Sequence, residues 1–232
     1  DEMSMVDMFL FQDILAMIQR GVRLVMVGDP DQLPSIGLGQ VFKDMIKRST
    51  IHAFKLVTNH RQHTHQGIIS LASNIRNRLS VSNITGEDIS FVSCSEADQL
   101  ERLIQTLFLE QAPRDHACSI DDIQLLIPLH KGRFGIHAMN DCLASNIRQS
   151  QFQQDRWAVG DRIMQCRNNY TKRVMNGDIG LIHAIKTNEI VIRFDHRLID
   201  YEYTDMDDIR LAYAVSVHKF QGSEAPIIIM PI

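Results

Sequence analysis

The sequence has no run of about 18 apolar residues, the length a membrane-spanning helix needs. Its most apolar stretch, 225–232, is broken by Pro226 and Pro231, which excludes a membrane-embedded chain. Cysteine is scarce. Cys94, Cys118, Cys142 and Cys166 fall 24 residues apart, but their neighbours share almost nothing and no CxxC pair occurs. That excludes a repeat and cysteine-held zinc, and it predicts a reducing, cytoplasmic setting. An excess of positive charge is also missing, with 24 Lys+Arg against 28 Asp+Glu and a net charge of -4. Blanket attraction to polyanions is excluded, so any nucleic-acid site must be a local one. No Gly/Ser linker appears, and the chain is 44% hydrophobic, enough for a packed core. The first residue is Asp and the last residues read as a strand cut in mid-pattern, which predicts a piece of something longer.

What is present is an alternation. The pattern predicts a helix over 4–20, a strand over 23–27, a helix over 40–48, a strand over 53–58 and a helix over 65–79. A strand over 89–93, a helix over 96–110, a strand over 123–128 and a helix over 134–148 follow. Such a rhythm predicts an α/β fold with a parallel sheet covered by helices on both faces. Beyond Gln151 the rhythm changes to short β segments at 161–167, 179–186, 189–194 and 198–203, with Asn176-Gly177-Asp178 as a turn. These predict a small antiparallel barrel inserted in the α/β part, before a last strand at 227–230.

Four polar segments concentrate the chemistry. Asp1-Glu2 sets two neighbouring carboxylates, one suited to holding Mg²⁺ and the other to positioning a water; the same pair also suits a helix start. In 28–34, Gln32 carries a donor and an acceptor without charge and sits on a strand-end loop, where α/β sheets place such groups; a Pro-Asp turn would read the same way. Arg61 follows the strand expected at 53–58, placing a planar fork at a sheet edge, although a surface ion pair would also use it. His60, His63 and His65 lack a carboxylate or cysteine at ligand spacing, so a zinc site is not expected there. The run 218–224 packs polar residues between apolar flanks, with Gly222 permitting close backbone approach and Glu224 able to accept hydrogen bonds.

Taken in order, 1–7 (DEMSMVD), 28–42 (GDPDQLPSIGLGQVF), 56–62 (LVTNHRQ), 128–135 (PLHKGRFG), 160–180 (GDRIMQCRNNYTKRVMNGDIG) and 212–224 (AYAVSVHKFQGSE) form a set. They resemble motifs II, III, IV and IVa, the barrel insertion and motif V of superfamily 1B DNA helicases, most of all the RecD and TraA-like branch. The resemblance covers nearly the whole chain. It implies a partial RecA-like P-loop NTPase fold carrying an inserted Src-homology-3-like β-barrel. The implied boundaries are 1–48 for the end of the first RecA-like domain, 49–151 for the first part of the second, 152–208 for the barrel and 209–232 for the second continued.

Carried over by position, the resemblance implies that Asp1 holds Mg²⁺ through water and Glu2 orients the hydrolytic water. It implies that Gln32 links the γ-phosphate of ATP to the DNA groove and that Arg61 approaches that phosphate. Gly222 and Glu224 match positions near the nucleotide. Lys131, Asn169, Tyr170, Ser216, His218 and Lys219 match positions that face single-stranded DNA, though Ser216 and Phe220 depart from the Thr and Ser this family often carries. Arg162, Arg167, Lys172 and Arg173 make one end of the barrel basic, while basic and acidic residues balance at eight each over 155–205. Trp157, the only tryptophan, suits the barrel core or the stacking of a base.

No GxxxxGK[ST] loop occurs and no arginine follows Arg210. The resemblance therefore implies an ATP-dependent helicase that moves five-prime to three-prime, alone or with other subunits of a recombination nuclease, of which this stretch by itself hydrolyses no ATP. A non-catalytic adaptor that keeps the fold to bind DNA or a protein is the alternative. A Mg²⁺-dependent nuclease built on Asp1, Asp29 and Asp31 is less well supported, because no Glu-x-Lys follows at nuclease spacing.

Overall fold

The computed structural model describes residues 1–57, 66–81, 84, 86–148 and 156–232. The chain divides into two compact units, Asp1–Ser93 and Cys94–Ile232.

In the first unit, Met3–Met5 forms a 3₁₀ turn and Met8–Met17 forms α1. Asp7 separates them as the N-cap of α1, its Oδ1 accepting the Leu10 N–H at 2.8 Å. The single helix expected over 4–20 is thus split, because Val6 is extended and the Asp7 side chain competes for the helix's first donors. Helices α2 (Val41–Ile46) and α3 (Gln66–Arg76) follow. The strands expected at 23–27, 53–58 and 89–93 are not formed among the described residues. Sequence pattern reports only that a segment suits a sheet, whereas a strand exists only when a neighbour pairs with it. Here Val25, Val27, Phe54, Leu56 and Val57 stay exposed. The backbone links found in these segments are Met3 N–H to the Val27 carbonyl at 3.0 Å and an isolated Gly86–Ile89 bridge.

The second unit carries the sheets. Helix α4 (Ala97–Thr106) runs on through a π-helical turn at Leu107–Gln111 into α5 (Ala112–His116), where Pro113 lacks an N–H to continue the α-helical ladder. Strand β1 (Ile123–Leu126) and α6 (Ile136–Arg148) complete the first part. Then come β2 (Arg162–Gln165), β3 (Ile179–Ile185), β4 (Glu189–Phe194), β5 (Arg197–Glu202) and β6 (Ile209–Leu211). The chain returns through β7 (Ala214–Val215), α7 (Val217–Phe220) and β8 (Ile227–Ile229).

Two sheets result. One is parallel, in the order β7-β1-β8, with Leu125 opposite both Ala214 and Ile229. The other is antiparallel, in the order β5-β4-β3-β2-β6. Strand β1 is buried along its whole length, as a central parallel strand must be. Its side chains Ile123 and Leu125 pack with Ile104, Phe108, Met139 and Leu143. The antiparallel sheet has its own core around Ile163, Ile182, Ile192, Tyr201 and Ile209, to which Trp157 belongs. A third cluster joins Met164 of β2 to Leu126, Ala212, Val215 and Phe220, so the two sheets share buried apolar surface. The parallel-sheet α/β architecture with an inserted Src-homology-3-like β domain is present. Strand β6 extends the antiparallel sheet to Leu211, three residues past the expected boundary at 208.

Polar pins reinforce that junction. The Asn140 side chain on α6 pairs with Ala214 of β7 like a strand neighbour, accepting its N–H at 2.9 Å and donating to its carbonyl at 2.8 Å. Arg162 is 6% exposed, with Nη1 donating to the Ile123 carbonyl at 2.7 Å and Nη2 to Gln124 Oε1 at 2.9 Å. It therefore does not contribute to a basic barrel surface, because its charge is spent inside the fold. Arg148 at the end of α6 makes a two-pronged ion pair with the buried Asp161.

Candidate functional site

In the first unit, the hydrogen bond from Met3 to Val27 brings the segment just after Asp1-Glu2 against the Gly28 loop. The approach is close: a Cβ at Gly28 would lie 3.1 Å from the Met3 and Ser4 nitrogens and 3.2 Å from Phe42 Cε1. Gln32 is exposed and lines a small pocket of about 60 Å³ with Ser4, Pro30, Gln40 and Lys43. The Ser4 hydroxyl there is buried and has no hydrogen-bond partner among the described residues. A pocket of that size, lined by amide and hydroxyl groups, has room for water. Asp1 is exposed, with Oδ1 accepting the Glu2 N–H at 2.8 Å, and Glu2 takes a left-handed backbone with φ 57°. Asp1 and Glu2 are not part of that pocket's lining, and as neighbouring carboxylates they are of the donor type Mg²⁺ takes, one or two carboxylates with most of its waters kept. Arg61, with His60, His63 and His65, lies outside the described residues.

In the second unit, Ser216 is buried and caps α7, its Oγ accepting the Lys219 N–H at 3.2 Å. That cap fixes the polar run: His218 and Lys219 face solvent, and Gly222 has φ 76°, a value glycine adopts without strain. Glu224 is exposed. Lys131 is exposed on the loop between β1 and α6. Asn169 is committed to a turn, its Oδ1 accepting the Lys172 N–H at 3.0 Å while its backbone pairs with Val174. The ring of Tyr170 on the same turn is 74% exposed, a free aromatic face.

Ser216 and Lys219 also line a cleft of about 230 Å³ between α6, β2 and the β6–β7 segment. Its floor is apolar, with Met164, Leu211 and Val215, and its rim carries His130, His137, Arg156 and Arg210. Lys219 Nζ lies 3.6 Å from Cys166 Sγ, and the Arg156 guanidinium sits 5.3 Å from the centre of the Trp157 ring. The Trp157 ring is 8% exposed, and its Nε1 is buried without a hydrogen-bond partner among the described residues. An unsatisfied buried donor of this kind costs about 1–3 kcal/mol. Arg156, Arg210, His130 and His137 are absent from the set read off the sequence. No local pattern marks them, since they come from three separated segments that folding gathers. The one available signal is the placement of the single tryptophan beside an arginine at the start of the β segments.

Comparison with known proteins agrees with this architecture. An AAA-domain family model matches residues 1–85, and the model for the SH3 domain of ATP-dependent RecD-like DNA helicases matches residues 137–194. The RecBCD enzyme subunit RecD of Mycolicibacterium smegmatis is 28% identical over 97% of this chain and 43% of its own length. The ATP-dependent RecD2 DNA helicase of Deinococcus radiodurans is 25% identical over 97% of the chain and 30% of its own length. The chain thus spans less than half the length of these curated relatives. Among solved structures, the Pif1 helicase from Bacteroides in complex with ADP-AlF3 and ssDNA shares the fold, with a TM-score of 0.63 at 20% identity. That match covers 100% of this chain and 63% of the Pif1 chain. In sequence the chain is similar to RecD-like DNA helicases, and in fold it is similar to the Pif1 helicase.

Proposed function

We propose that this chain is the central part of an ATP-dependent motor that moves five-prime to three-prime along single-stranded DNA, in recombination or repair. The observation that carries the reading is the cation-rimmed cleft between the α/β part and the inserted barrel, which includes Ser216 and Lys219 of the capped polar run. Relatives named as a RecD2 helicase and as RecD subunits of RecBCD support the motor and an association with other subunits of a nuclease complex.

In this reading Asp1 holds Mg²⁺ through water and Glu2 orients the water that attacks ATP. Gln32 senses the γ-phosphate from its loop, Arg61 neutralises charge on it, and Gly222 with Glu224 lies near the nucleotide. Bound Mg²⁺ neutralises charge on the transferring phosphate. Lys131, His218 and Lys219 meet the DNA backbone and Tyr170 offers a stacking face. Asn169 and Ser216 act by holding their turns in shape. The sequence has no GxxxxGK[ST] loop, so the 232-residue chain alone turns over no ATP.

The test is ATP hydrolysis, stimulated by single-stranded DNA, in a longer protein that contains this chain and a phosphate-binding loop, with the 232-residue chain as the blank. Strong stimulation lost on Glu2→Gln and on Arg61→Ala is expected. Hydrolysis by the blank that Glu2→Gln abolishes would overturn the assignment of inactivity. A folded longer protein that never hydrolyses ATP would overturn the motor.

A further inference from the structure

Ser4 sits at the centre of a 3₁₀ turn that is fixed on both sides. The Met3 N–H donates to the Val27 carbonyl at 3.0 Å and the Met5 N–H to the Glu2 carbonyl at 3.0 Å, so the turn joins Glu2 to the segment that leads into Gly28. The Ser4 hydroxyl is buried without a hydrogen-bond partner among the described residues, and it lines the same pocket of about 60 Å³ as Gln32. A buried hydroxyl that no protein group satisfies adds nothing to the packing that alanine would not supply. Stability therefore does not account for a serine here. Gln32 is held by its backbone, its N–H donating to the Asp29 carbonyl at 3.3 Å, while its side chain is exposed. A long exposed side chain has many rotamers, so its amide must be held from one end if the other is to face a phosphate. The pocket between the two side chains has room for a water, and a buried water binds about two to four polar groups.

We propose that Ser4 is a positioning residue for Gln32: a water in this pocket accepts from the Ser4 Oγ–H and donates to Gln32 Oε1. With the amide oxygen engaged, Nε2 is left to donate to a phosphate oxygen. The link also ties the loop of Gln32 to the turn that follows Glu2, so a shift of one is felt by the other. Ser4 itself touches neither ATP nor the reacting atoms. The proposal rests on the reading of Gln32 as the γ-phosphate sensor of a motor, and it adds the group that orients that amide.

Stability and turnover are measured separately. In the 232-residue chain, Ser4→Ala should leave the urea midpoint close to that of the parent chain, because no contact with another protein group is lost. In a longer, ATPase-competent protein that contains this chain, Ser4→Ala should lower the DNA-stimulated kcat about 2- to 10-fold, the rate equivalent of one hydrogen bond, with KM for ATP unchanged. Ser4→Thr, which keeps the hydroxyl, should restore most of the rate. In a Gln32→Ala background, Ser4→Ala should cost nothing further, since its effect runs through that amide. Full turnover by Ser4→Ala where Gln32→Ala is impaired, or the same loss from Ser4→Ala with and without Gln32, would overturn the positioning role while leaving the motor standing. A marked fall in the urea midpoint of Ser4→Ala would make the hydroxyl a structural partner and overturn the role as well. DNA-stimulated turnover that Gln32→Ala leaves untouched would overturn the reading of Gln32 as a sensor, and the role of Ser4 with it.

Discussion

Arg162 of the antiparallel sheet donates from Nη2 to Gln124 Oε1 of the parallel sheet at 2.9 Å, and that contact is buried on both sides. Gln124 in turn donates to the carbonyl of Tyr213 at 3.0 Å. The inserted barrel is therefore keyed into the backbone of the α/β sheet by one guanidinium and one amide. Burial pulls the Arg162 pKa down, with Asp121 acting against that effect, so satisfied hydrogen bonds must hold the charge in place.

Arg162→Ala would leave the Ile123 carbonyl and Gln124 Oε1 unpaired and open a void. We expect a loss of about 2–4 kcal/mol, read by urea unfolding of the 232-residue chain. Arg167→Ala, on an exposed ion pair with Asp208, should cost less than about 1 kcal/mol. Equal effects would show that Arg162 is not a pin.

Asp161 receives Arg148 through two prongs and the Ala158 N–H at 2.8 Å. Its removal leaves a nearly buried guanidinium without its counter-charge. Asp161→Ala should cost about 3–5 kcal/mol, whereas the double change with Arg148→Met should recover a large part of it. A double-mutant cycle on unfolding midpoints decides the matter.

Tyr213 provides a pH signature. Burial, with the charge of Asp161, pushes its phenol up to about 12. In the unfolded chain it ionises near about 10. Between these values the unfolded state holds fewer protons than the folded state, so stability is full below the lower value and falls as pH rises through the higher one. Tyr213→Phe should remove this part of the alkaline decline, as measured by denaturant unfolding across that window.

Gly28 is packed so closely that a side chain would press on backbone and on the Phe42 ring, which must give by a few tenths of an ångström. Its Cβ would meet the Met3 and Ser4 nitrogens at 3.1 Å. Gly28→Ala should cost about 1–3 kcal/mol by overpacking and shift the loop carrying Gln32. In a longer, ATPase-competent protein, it should lower the DNA-stimulated turnover more than it lowers the affinity for DNA.

Lys219→Ala should weaken oligonucleotide binding by a similar factor for different sequences and reduce the slope of log affinity against log salt by about 0.7, the share of one phosphate contact on a single strand. An unchanged slope in a folded variant would show that Lys219 meets no phosphate.

Local physics made several features readable in advance. The turn at Asn176-Gly177-Asp178, the β segments around it and the buried run at 123–126 follow from alternation, chain-reversal chemistry and side-chain shape, all of which act within a few residues. The run 218–224 announced itself because six polar or glycine residues around Phe220 rarely interrupt apolar flanks without a use. The same local reasoning placed strands at 23–27 and 53–58, where the described residues hold none, because a strand's existence depends on a neighbour the pattern does not name.

By itself, the sequence determined the fold class, the inserted barrel and the order of the motif segments, since each is written in short-range periodicity and residue type. Only the tertiary structure decided that Arg162 is a buried key rather than a surface charge, that Ser216 is a cap, and that Arg156, Trp157, Arg210 and Lys219 share a cleft. Those outcomes depend on which distant segments meet and on which charges find partners on burial. Desolvation and pairing set both, and neither is a property of any residue alone.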